Sequence, residues 1–291
     1  MQILKTRIQR IIKLILKLVS GIIAVGLFLS VFYYIPSFEP EAPDMILPTP
    51  EPTSPPDYSV LKGKLEERLS QEQGDWSLYF YNCDTGDEIS INSHQVYSAS
   101  LIKLFVIQAA YQKVLNGAMA DDAALENQLM KMITYSDNSA WQTVTRRLGG
   151  GSYSAGMAYV TAVAAERGFA DTGQFYKGLH RNYNFTSVND CGAYLRGILD
   201  GTIVSPEYSE KILSYLKQQQ HLQKLIAGVP EGVETANKTG ELEYNQGDAA
   251  IIFSPAATYV LAVIGDGLNN AYGRVDVFVK ISEMVYNFVN N

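Results

Sequence analysis

The sequence predicts an α+β fold preceded by a membrane-spanning helix, and three observations carry that prediction. Short β-type runs lie near both ends of residues 58–291, the stretch between them reads as successive helices, and a basic start leads into an uncharged apolar run, Leu18–Ile35. Strands from both ends of a segment, meeting in one antiparallel sheet with helices inserted between, make one α+β unit rather than two independent domains.

The N-terminus carries Lys5, Arg7, Arg10, Lys13 and Lys17, with no acid before Glu39. Lys13 and Lys17 can snorkel if the helix starts early, and Phe32, Tyr33 and Tyr34 sit where aromatic rings favour the membrane boundary. A cleaved signal peptide has the same basic start, but the run is long and no clear small-x-small site follows it. Residues 1–35 are therefore expected to be a cytoplasmic tail and uncleaved single-pass signal anchor, with the remainder outside the cytoplasm at the cell membrane. Residues 36–57 hold eight prolines interleaved with acids, a composition that forms a stiff extended spacer.

Within 58–291, Leu61, Leu65 and Leu69 give Tyr58–Gln71 a helical spacing. Trp76–Asn82 and Glu88–Asn92 read as strands joined by a turn at Asp84, Thr85 and Gly86. Helices are expected over Ser100–Leu115, Leu125–Tyr135, Ala140–Leu148, Ala155–Arg167, Asp190–Leu199 and Pro206–Gln219. Ala249–Phe253 and Tyr259–Ile264 read as closing strands, and Val275–Val289 as an amphipathic final helix.

Composition narrows the function. The chain has 291 residues, 47% hydrophobic and 18% charged, with net charge −7 and no basic cluster beyond the first twenty residues. That excludes a nucleic-acid partner, which needs a concentrated cationic face. Cys83 and Cys191 are the only cysteines and could pair, although sequence cannot place them within bonding distance. With no CxxC and only His94, His180 and His221, no metal site or cofactor is expected. The domain is expected to be monomeric.

Three short motifs carry chemistry. Ser100-Leu101-Ile102-Lys103 puts a hydroxyl and an amine on one helical face, and Lys103 is the only charge between Gln95 and Gln112. An ammonium in such apolar surroundings loses pKa and can act as a base toward the hydroxyl. Alone, the pattern is more often a lysine snorkelling from a buried helix. Ser136-Asp137-Asn138, between two helices, can project a hydroxyl and an amide into a cleft while Asp137 braces the backbone; it also fits an ordinary helix cap. Lys238-Thr239-Gly240, at a strand edge, can hold a substrate anion and allow close approach of the backbone.

S-x-x-K, S-D-N and K-T-G in that order are the combination found in class A β-lactamases and penicillin-binding proteins. With Leu129–Thr134 before Ser136 and Gly228–Gly232 before Lys238, residues 58–291 resemble the class A β-lactamase-like serine hydrolases. The resemblance implies an α/β sheet domain packed on an all-helical domain, with the active site between them. It implies that Ser100 is acylated, Lys103 accepts its proton, and Ser136 relays a proton to the leaving nitrogen. Asn138 would bind the substrate's amide side chain, Lys238 and Thr239 its carboxylate, and the Ser100 and Glu241 N–H groups would form the oxyanion hole beside Gly240.

Two features depart from that pattern. The stretch Thr172–Asn189, read as a loop about ten residues shorter than the family's, has no acid where class A enzymes carry the glutamate that activates the deacylating water. Asn245, Gln246, Gly247 and Asp248 supply no arginine to grip the carboxylate. The expectation is an enzyme that acylates on β-lactam amides or related peptides and deacylates slowly. A cell-wall D-alanyl-D-alanine peptidase or transpeptidase, and a non-catalytic module binding wall peptides or β-lactams, stay open.

Overall fold

The computed structural model describes residues 56–176 and 182–291. The predicted anchor, nearly all of the proline-rich spacer and His180 lie outside the described residues. Among the described residues no helix is long and apolar enough to cross a membrane.

Helix α1 (Tyr58–Ser70) opens on Asp57, whose carboxylate accepts from Ser59 N–H at 2.9 Å, and it buries Leu61, Leu65 and Leu69. Strands β1 (Asp75–Asn82) and β2 (Glu88–Ile91) follow as a hairpin, then the two-residue strand β3 (Val96–Tyr97). Five helices follow: α2 (Ile102–Leu115), α3 (Ala123–Thr134), α4 (Asn138–Leu148), α5 (Tyr153–Glu166) and, after the hairpin β4 (Gly173–Tyr176) and β5 (Asn182–Thr186), α6 (Val188–Leu199). Helix α7 (Pro206–Leu216) leads to strands β6 (Glu234–Leu242), β7 (Asn245–Phe253) and β8 (Thr258–Asp266), and α8 (Val275–Asn290) ends the chain.

The main sheet is antiparallel in the order β2-β1-β8-β7-β6, so β6 is an edge strand. Both ends of the domain do meet in it, as β1 and β8 lie side by side. Its strands alternate between two cores with period two, because successive side chains leave opposite faces. Val260, Ala262 and Ile264 of β8 face the helices α2 to α7, while Tyr259, Leu261 and Val263 face α1 and α8. Full burial of each Val, Leu or Ile among them contributes about 1.5–3 kcal/mol, so both faces hold the sheet. In the helical core, α2 is the axis: every residue from Ile102 to Tyr111 is buried.

Three expectations need correction. Ser100–Leu115 is not one α-helix: a 3₁₀ turn, Ala99–Leu101, precedes α2. That turn opens on Ala99, whose φ of +46° is a left-handed backbone, so it is wound separately from α2. The stretch after Thr172 is not a loop but contains the β4–β5 hairpin, extended by β3 into a second sheet of order β3-β5-β4. The closing strands are longer than expected and begin at Asn245 and Thr258. Cys83 and Cys191 are both free; burial pushes their thiols up to about 11 and about 12, which leaves them unreactive near neutrality.

Candidate active site

Three elements bring the motif residues together. The 3₁₀ turn carries Ser100 and the first turn of α2 carries Lys103; the α3–α4 junction carries Ser136 and Asn138; the edge strand β6 carries Lys238 to Glu241. The site therefore sits where the sheet meets the helices.

Lys103 is 1% exposed and is the hub. Its Nζ lies 3.1 Å from Ser100 Oγ, 2.5 Å from Ser136 O, 2.7 Å from Asn138 Oδ1 and 3.3 Å from Ser136 Oγ. Lys238, fully buried, reaches the same hydroxyl from the other side, with Nζ 2.9 Å from Ser136 Oγ and 2.6 Å from Thr239 O. Two amines thus converge on one oxygen. Burial lowers Lys103 to about 8, opposed only by Asp137. Lys238 is lowered by burial and by the charge on Lys103, but Asp248 and Glu241 favour its ammonium. The charge on Lys224 lowers Lys238 as well, and two adjacent ammoniums are costly, so the pair does not carry two full charges cheaply.

The contacts of Lys103 also accommodate its neutral form. A neutral amine has two N–H donors and one lone pair. Lys103 can spend its donors on Ser136 O and Asn138 Oδ1, leaving the lone pair to accept from Ser100 O–H. That is the arrangement of a base poised on a nucleophile.

The α3–α4 junction is held in an unusual shape. Ser136 has φ +55°, rare for a non-glycine residue, and Asp137 then caps α4 by accepting from Ala140 N–H at 2.7 Å and from Ser139 Oγ at 2.7 Å. The S-D-N motif is thus both a helix cap and a side-chain platform, with Asn138 the first residue of α4. On β6, Gly240 is required by contact. A Cβ there would stand 2.9 Å from Ser98 O, 3.1 Å from Ala99 Cβ and 3.2 Å from Ser100 N. Thr239 is buried and faces Asp248 in the ladder.

In front of these residues lies a cleft of about 790 Å³, lined among others by Ser100, Lys103, Asn138, Trp141, Asn184 and Glu241. The β5 hairpin contributes Tyr183 and Asn184 to one wall of the cleft. The acids that line the cleft, Glu241, Glu243 and Asp266, come from the main-sheet side. His94 is elsewhere, paired with Asp75 at 3.0 Å, and His221 faces Tyr135 O at 3.4 Å.

Sequence reasoning missed one residue. Lys224, ahead of the 3₁₀ turn Leu225–Gly228, is completely buried behind β6. Its Nζ lies 2.9 Å from Gly240 O, 3.2 Å from Gly247 O and 3.2 Å from Glu241 Oε1. Asp248, pushed up to about 6 by burial, accepts from Asn237 Nδ2 and Leu225 N–H beside it. The available signal was a lone cation between Lys217 and Lys238 that abuts the apolar pair Leu225-Ile226.

Comparison with known proteins places the architecture in the β-lactamase-like α+β class. The chain belongs to the β-lactamase enzyme family, whose model matches residues 60–128 and 120–289. Among solved structures it is similar to PBP-A, with 25% identity over 81% of this chain and 98% of PBP-A and a TM-score of 0.69. A β-lactamase from Sphaerobacter thermophilus shares the fold at 21% identity, covering 80% of this chain and 98% of its own, with a TM-score of 0.69. A mutant of PBP-A in acyl-enzyme complex with penicillin G matches at 24% identity, covering 80% and 98%, also with a TM-score of 0.69. No curated protein matches the sequence.

Proposed function

We propose that the domain is a serine acyl-transfer enzyme that opens β-lactam amides or cleaves related D-alanyl-D-alanine peptides, and that its acyl-enzyme is long-lived. The carrying observation is the hydrogen-bonded array Ser100–Lys103–Ser136–Lys238, of which Ser100 and Lys103 line the cleft. Similarity to a protein captured as a penicillin G acyl-enzyme supports the same reading.

In this reading Ser100 Oγ attacks the amide carbon while its proton passes to the lone pair of Lys103 Nζ. The carbonyl oxygen takes up the negative charge and is held by the Ser100 and Glu241 N–H groups; each such donor contributes about 3–4 kcal/mol to lowering the barrier. Collapse breaks the C–N bond, and the proton travels from Lys103 through Ser136 Oγ to the leaving nitrogen. Lys238 Nζ stands 2.9 Å from Ser136 Oγ and draws the substrate carboxylate toward it, while Asn138 binds the acyl side-chain amide.

Hydrolysis of the ester is the slow step. The sequence has no acid from Thr172 to Asn189, the stretch that supplies Tyr183 and Asn184 to the cleft, and Glu241 is engaged by Lys224. Lack of a positioned base costs about 10²–10⁴ in rate. Intact-mass spectra followed for hours after penicillin addition test this reading: a persistent adduct located on Ser100, and lost in Ser100→Ala, is expected. No adduct at long exposure would remove the acyl-serine idea, and rapid nitrocefin hydrolysis would remove the slow step. D-alanine release from a wall pentapeptide would mark the peptidase reaction.

We also propose that Leu18–Ile35 anchors the chain in the cell membrane with the domain outside. Membrane fractions from which protease strips the domain in intact cells would support the anchor, and a freely secreted domain would oppose it.

A further inference from the structure

The surroundings of Lys224 point past substrate binding. An ammonium has three N–H donors, and here three acceptors surround it: Gly240 O at 2.9 Å, Gly247 O at 3.2 Å and Glu241 Oε1 at 3.2 Å. None is left for a substrate carboxylate, and the side chain is 0% exposed. Gly240 and Gly247 face each other across the β6–β7 ladder, so one cation binds both carbonyls of that pair.

The peptide that joins Gly240 to Glu241 is trans, as are all the described peptide bonds. Across a trans peptide, C=O and N–H point in opposite directions. A Gly240 carbonyl drawn onto Lys224 therefore turns the Glu241 N–H away from Lys224. Gly240 abuts the Ser100 amide on its other face, β6 has no further strand outside it, and Glu241 lines the cleft. A cation on the carbonyl oxygen also polarises the peptide, which strengthens its N–H as a donor.

We propose that Lys224 is a positioning residue: by holding the Gly240 carbonyl from behind the sheet, it aims and strengthens the Glu241 N–H as the second oxyanion donor. The proposal rests on the acyl-serine reading above. It differs from a direct carboxylate grip, which an arginine on the neighbouring strand would supply.

The test compares wild type with Lys224→Met on two acyl donors, benzylpenicillin and its methyl ester, which lacks the carboxylate. Two quantities are read: the second-order acylation rate, and the infrared stretch of the acyl-enzyme ester carbonyl, labelled with ¹³C. The expected result is a loss of about tenfold to a hundredfold on both donors alike, below the cost of deleting an oxyanion donor outright. The ester stretch should move up toward the value of a free ester. Should methionine not be tolerated, Lys224→Gln keeps N–H donors without the charge and should move the stretch the same way. A loss confined to benzylpenicillin would instead reveal a carboxylate grip and overturn the proposal. An unchanged stretch with unchanged rates would also overturn it, leaving Lys224 a packing residue. If wild type itself forms no adduct with either donor, the acyl-serine reading fails, not only this refinement.

Discussion

Replacing Gly240 by alanine perturbs the meeting of sheet and nucleophile at a single point. Its backbone is not in the left-handed region, so alanine can adopt it, and only contact matters. The added Cβ would lie 2.9 Å from Ser98 O and 3.2 Å from Ser100 N, both backbone atoms that cannot swing aside. Restoring ordinary contact at about 3.4 Å requires β6 and the Ser100 turn to part by about 0.5 Å. Oxyanion donors act at about 2.7–3.1 Å, so that displacement uses up the working range. Acylation by a fluorescent penicillin, followed by stopped flow, is expected to fall by about tenfold to a thousandfold. Overpacking should cost about 1–3 kcal/mol, read as a lowered thermal midpoint. Gly232→Ala is the control: φ there is +90° with nothing within 4 Å, so it should cost about 1 kcal/mol and leave acylation alone. Acylation by Gly240→Ala within threefold of wild type would refute the assigned geometry of strand and nucleophile.

Other predictions follow from the same site. Because Lys103 must be neutral to take the Ser100 proton and burial lowers it to about 8, the acylation rate should rise tenfold per pH unit below about 8 and level off above it. A flat profile from pH 6 to 9 would oppose the base role. The same depression means that, between about pH 8 and 10.5, the unfolded chain holds a proton the folded one has shed, so this group adds to stability as pH rises through that window. Asp137→Ala removes the cap of α4 and should cost about 0.5–2 kcal/mol in chemical denaturation; it should also slow acylation, because Ser136 and Asn138 lose their brace. Leu65→Ala, in the core between α1 and α8, should cost about 2–5 kcal/mol with no change in acylation per folded molecule. Two titratable thiols in denaturant, with a thermal midpoint indifferent to reductant, are expected from the free cysteines; a reductant-sensitive midpoint would contradict them.

Much of this was legible in the sequence because it depends on near neighbours. Period-four leucines mark α1, the apolar run around Lys103 marks its burial and lowered pKa, and the order of S-x-x-K, S-D-N and K-T-G carries the family. Residues close in sequence decide helix faces, caps and local polarity, so their pattern is sufficient. What only the tertiary structure decided is non-local. The left-handed turns at Ala99 and Ser136 persist because packing holds them, not because those residue types favour them. The hairpin after Thr172 was signalled only by Phe175, Tyr176, Tyr183 and Phe185, too short a pattern without β3 to pair with. Lys224 reads as an ordinary surface cation until the register of β6 on β7 places Gly240 and Gly247 opposite each other. Only a folded sheet brings those two carbonyls, 16 and 23 residues along the chain from Lys224, onto its one ammonium, and so chemistry set by register stays hidden in a linear pattern of residues.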